Sequence, residues 1–90
     1  MTPPPSLESL TAALRAAGAA HHEFEQHYLR GVRDGAWPGW YAAYVLGRAG
    51  DFTAPTALAR WLWETPAEGD WASDAAHHVL TRLQSPLESP

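Results

Sequence analysis

Apolar side chains recur every three or four residues through four stretches of the chain, and no stretch shows the alternation of a half-buried strand. The first stripe is Leu7, Leu10, Leu14, Ala17, His21, Phe24 and Tyr28. It predicts a helix starting at Ser6, whose hydroxyl can accept from the first free amides while Glu8 suits the positive end of the helix dipole. Carried to Arg30 and ended by Gly31, that helix would be roughly 35 Å long at about 1.5 Å per residue. The second stretch, WPGWYAAYVLG, sets Pro38 at the first helical position and Gly47 or Gly50 at the exit. It presents Trp37, Trp40, Tyr41, Tyr44 and Val45 as a broad aromatic face.

Prolines bound the third helix. Ala54 is pushed out of the helical region by Pro55, where the helix opens, and Pro66 closes it in the same way. Leu58, Trp61 and Leu62 share one face there, whereas Trp63 points elsewhere. The fourth helix is capped by Asp70 and runs to about Gln84, with Ala72, Ala76, Val79, Leu80 and Leu83 inward and Pro86 beyond its end. The expected fold class is all-α, a small bundle of about four helices with a long first helix, in one domain over residues 6–84. The Pro- and Ser-rich stretches 1–5 and 85–90 have little to bury and are expected as disordered tails.

One member of the first stripe is polar. Within AAHHEFEQHY, His21 falls on the buried seam and Glu25 lies one turn later on the same face, with Tyr28 following. An imidazole beside a carboxylate can be held in one tautomer, the arrangement of a general acid or base or of an oriented metal ligand. The same pair also serves a core histidine with no chemical role, because buried polar groups need partners whatever they do. His22 lies about 100° further round the helix and is expected in solvent. Glu23 and His27 repeat the spacing on another face as an exposed couple. His77 lies beside the core stripe of the fourth helix and would approach His21 if the first and fourth helices pack together.

The candidate site is therefore His21 as acid or base and Glu25 orienting it. Tyr28, Trp37, Trp40, Tyr41 and Tyr44 wall a small-molecule pocket, apolar with a few converging polar groups. Without cysteine there is neither a disulfide scaffold nor a thiolate metal site. The histidines and carboxylates lack the HExxH, paired ExxH and HxxxH spacings, so neither a metal nor a cofactor is expected. Six arginines, scattered along the chain, face ten acidic residues for a net charge of −4, which makes nucleic acid an unexpected partner. No stretch approaches the roughly 20 apolar residues of a membrane span, and MTPPPS lacks the basic start and apolar core of a secretory signal, so the expected compartment is the cytoplasm. Lys, Asn and Ile never occur, as in a GC-rich bacterial genome. Five tryptophans are an excess that marks a core, a pocket or an interface. The alternative function is an assembly module without catalysis, in which Trp63 and Trp71 meet a second copy or a protein partner.

At AAHHEFE and WPGWYAAYVL the chain resembles a group of uncharacterised small bacterial helical proteins that carry AAHxxYE followed by DWPxWYAxYL. The matching positions are Ala19, Ala20, His21, Phe24 and Glu25, then Trp37, Pro38, Trp40, Tyr41, Ala42, Tyr44 and Leu46. Phe24 stands where the group has tyrosine. Gly35 and Ala36 stand where an aspartate would immediately precede the tryptophan, with Asp34 close by. The resemblance covers roughly residues 10 to 50. It implies a small helical domain whose His, Glu, Trp and Tyr belong together, and it implies no reaction.

Overall fold

Four helices form where the apolar stripes lie. The computed structural model describes residues 2–66 and 69–84, with α1 at Leu7–His27, α2 at Trp37–Ala49, α3 at Pro55–Glu64 and α4 at Trp71–Leu83, and no strand among the described residues. The Ser6 hydroxyl accepts the Ser9 amide at 3.1 Å, and Asp70 accepts the Ser73 amide at 3.4 Å. α2 and α3 have no side-chain cap and begin instead with a proline in the first turn. Its missing N–H removes one of the donors that a helix start leaves unpaired.

α1 stops short of the expected end at Arg30. Its last helical residue is His27, and the chain reverses through Arg30 (φ 54°) and Gly31 (φ 83°), both left-handed, with the Gly31 amide donating to the Glu25 carbonyl at 2.8 Å. Glycine takes that conformation at little cost, and the arginine beside it does not. The early reversal returns residues 32–36 along the end of α1, where Asp34 reaches Glu25 and His21. A helix continued to Arg30 would carry the chain away from both.

α1 packs on α2 and α4, and α3 packs on the same two helices, so each helix touches its chain neighbours and the first closes on the last. Leu10, Leu14, Val45, Leu58, Leu62 and Val79 are fully buried, one or two from each helix. Each such side chain contributes about 1.5–3 kcal/mol of burial. Ala13, Ala17, Ala42, Ala75 and Ala76 fill the remaining contacts and let the helices approach closely. With 21 residues against 10 to 13 in its partners, α1 overhangs the bundle, and the two ends of its stripe, Leu7 and Tyr28, are exposed.

His77 is exposed although α1 and α4 do pack together. The inward face of α4 is Ala72, Ala75, Ala76 and Val79, and position 77 lies about 100° from Ala76 round the helix. His78 instead bonds Glu64 of α3 at 2.9 Å, and that bond, with Arg82 nearby, holds the Glu64 carboxyl below its usual range. Residues 85–90, expected as a tail, lie outside the described residues, as does Met1. The Thr2 amide donates to the Asp51 carbonyl at 3.1 Å, laying the start of the chain over the α2–α3 turn.

Candidate functional site

The overhanging end of α1, the reversal after it and the first turn of α2 converge on one cleft of about 250 Å³, lined by His21, Glu25, Arg33, Asp34, Trp37, Tyr41 and Trp71. His21 comes from the buried seam of α1 and is only 5% exposed. Its Nε2 lies 2.9 Å from Asp34 Oδ2. Its Nδ1 is 4.0 Å from Glu25 Oε2, too far for a hydrogen bond.

The partner that orients the imidazole is thus Asp34, in the α1–α2 connection, and Glu25 works one step removed. Glu25 Oε2 accepts the backbone amide of Asp34 at 2.8 Å, and Asp34 Oδ1 accepts the amide of Ala36 at 2.9 Å. The second bond is an aspartate closing a turn on its own backbone. The two bonds fix the loop that presents the Asp34 carboxylate to His21. Hydrogen bonds from His21 first and from the Ala36 amide next hold the Asp34 carboxyl below its ordinary range, so it stays ionised and can only accept. Nε2 is therefore the donating nitrogen toward Asp34, and in the neutral ring Nδ1 then carries the lone pair.

Nδ1 has no hydrogen-bond partner among the described residues, and no buried side-chain nitrogen or oxygen among them is left orphaned. Nδ1 is therefore not sealed from solvent, and His21 lines the cleft. Glu25 Oε1 and the Tyr41 hydroxyl likewise have no side-chain or backbone partner among the described residues and are not sealed from solvent, and both residues line the cleft. Burial first and the Glu25 charge second push the Tyr41 phenol above its usual value, so it remains a neutral donor. A Cβ at Gly18 would stand 3.4 Å from the Tyr41 hydroxyl, an ordinary van der Waals contact, so the hydroxyl lies against α1 at this position.

The apolar walls are three rings at steep mutual angles. Trp37 meets Tyr41 at 5.3 Å and 78° and Trp71 at 5.6 Å and 78°, and Tyr41 meets Trp71 at 5.6 Å and 90°. Such edge-to-face contacts are the favoured aromatic geometry.

Of the residues singled out by sequence, His21, Glu25, Trp37 and Tyr41 come together in the cleft. Trp40 contacts the His21 ring at 4.9 Å without lining the cleft, and Tyr44 stacks on Trp40 at 5.6 Å with its hydroxyl accepting from Arg48. Tyr28 stands apart. It is 78% exposed and stacks on Phe24 over a different groove shared with Trp40 and His27. Sequence reasoning missed Arg33 and Asp34 as site residues and assigned Trp71 to an interface. For Asp34 one signal was present, the aspartate of the resembling motif displaced by two positions. Among the described residues no three His, Asp or Glu side chains are placed to hold a metal ion. The closest His–carboxylate contact in the cleft is a direct hydrogen bond.

Comparison of the chain with protein-family models, with curated proteins and with solved structures finds no match.

Proposed function

We propose that this domain binds a small molecule in the cleft and that His21 serves there as a general acid or base, oriented by Asp34, which Glu25 in turn positions. The supporting observation is the asymmetry of the imidazole. One nitrogen is bonded to an ionised carboxylate at 2.9 Å, and the other is unpartnered and open to a cleft with aromatic walls. A histidine retained only to satisfy a core would have both nitrogens sealed or paired. General acid–base catalysis needs a lone pair that a bound molecule can reach, with the tautomer set from behind. At about 250 Å³ the cleft is below the usual range for drug-sized ligands, which points to a molecule of a few carbons.

His21→Gln tests this reading, because glutamine can still donate an amide proton to Asp34 but cannot titrate. The variant is expected to melt within a few degrees of the parent. A fragment screen by amide and indole NMR should find molecules that shift Trp37, Tyr41 and Trp71 in the parent and not in the variant. Unfolding of His21→Gln, or fragments that bind it equally well, would show His21 to be a packing residue.

Trp63 favours a second reading. It is 66% exposed, and its ring lies 6.2 Å from Trp37 at the edge of the cleft cluster. An indole so placed suits an interface with another copy or a protein partner. On that reading Trp63→Ala lowers the mass measured by sedimentation equilibrium. A monomer in both proteins removes self-assembly from consideration.

A further inference from the structure

The charges around the cleft select the sign of its occupant. Two carboxylates line it, Glu25 and Asp34, with side chains 21% and 16% exposed. Facing them is one cation, Arg33, which is exposed to solvent and makes no ion pair among the described residues. Water screens the arginine far more than it screens the half-buried carboxylates, so the field on the cleft floor is negative. An anion placed there would meet two like charges.

The hydrogen bonds already made in the cleft leave few groups free for a guest. Asp34 is committed, with Oδ2 to His21 and Oδ1 to Ala36, and Glu25 Oε2 is committed to the Asp34 amide. Glu25 Oε1 and His21 Nδ1 have no partner among the described residues; the carboxylate oxygen accepts, and so does Nδ1 in the neutral ring. Two open acceptors on a negative floor call for a positively charged donor. Indole and phenol walls also favour a cation, through their ring quadrupoles. His21, more than nine-tenths buried and with Nδ1 unpartnered, sets the site apart from an ordinary cluster of surface carboxylates.

We infer that the cleft takes a small primary ammonium, its N–H groups directed at Glu25 Oε1 and His21 Nδ1 and its short hydrocarbon chain laid against Trp37 and Trp71. This rests on the small-molecule reading above and adds the ligand class to it. Primary amines are favoured over quaternary ones, which carry the charge but donate no hydrogen bond.

Four probes of similar size separate the outcomes: n-butylammonium, n-butanol, butyrate and tetramethylammonium. They are titrated into the full chain with tryptophan fluorescence and the His21 ring signals as readouts. n-Butylammonium is expected to bind at least about tenfold more tightly than n-butanol and tetramethylammonium, with butyrate weakest, a ratio of about 1.4 kcal/mol. Glu25→Gln, which can still accept the Asp34 amide, should remove most of that preference. Arg33→Gln should tighten n-butylammonium, because the one opposing charge is gone. Preferred binding of n-butanol or butyrate at the same resonances overturns the ammonium assignment and leaves the small-molecule reading standing. Equal binding of tetramethylammonium overturns the hydrogen-bonded geometry. If none of the four moves the cleft resonances the ammonium inference fails, and the fragment screen decides the broader reading separately.

Discussion

Leu14→Ala is expected to destabilise the domain by about 2–5 kcal/mol, the range for truncating a buried leucine whose surroundings cannot collapse fully. Leu14 is 1% exposed and sits on the seam by which α1 meets α2 and α4. The whole stability of a 90-residue domain is about 5–13 kcal/mol at typical values per residue, so one side chain carries a large share. Urea unfolding followed by circular dichroism checks this, with the midpoint falling and the slope unchanged if only stability is lost. A loss below about 0.5 kcal/mol would be the behaviour of a surface position and would contradict the packing.

Trp37→Ala should have the second-largest effect and strike stability and the cleft together. Its ring contacts Tyr41, Trp63 and Trp71, and it is the first residue of α2. Full burial of a tryptophan would put the loss near about 3–5 kcal/mol. Trp37 is half-buried, so about 2–3 kcal/mol is expected, with the near-ultraviolet dichroism of the ring cluster collapsing in the folded protein. Trp37→Phe, which keeps an aromatic edge against Tyr41, should recover more than half of the loss. Binding in the cleft should fall in Trp37→Ala even where the protein is folded, because one wall is gone. A stable Trp37→Ala that retains its ring dichroism would mean that the cluster is not a packed unit.

The fold could be read from the chain because helical burial is periodic and local. Leu10, Leu14, Ala17 and His21 lie on one stripe at spacings of three and four, and the structure buries all of them. The Ser6 and Asp70 caps and the proline starts at Pro38 and Pro55 act over one turn, so they too were visible in sequence. The end of α1 was less so. Gly31 marked the reversal, but a left-handed Arg30 just before it is not a propensity that can be read in advance. Half of the site was legible for the same reason as the fold, since His21 and Glu25 share a helix face. The other half was not. Asp34 meets His21 through a loop, thirteen positions along the chain, and no period links a helix to the loop that folds back on it. Tyr28 shows the converse error, for it keeps the stripe's spacing after the partners that would bury it have ended.

The bond from the Asp34 amide to Glu25 makes the two carboxylates a single mechanical unit. A guest that draws the Glu25 head group toward itself must slacken its grip on that amide, and so alter how firmly the loop offers Asp34 to the ring behind it. Occupancy and tautomer control are thereby coupled through one peptide N–H, and its hydrogen-exchange rate is a natural gauge of whether the space beside it is filled.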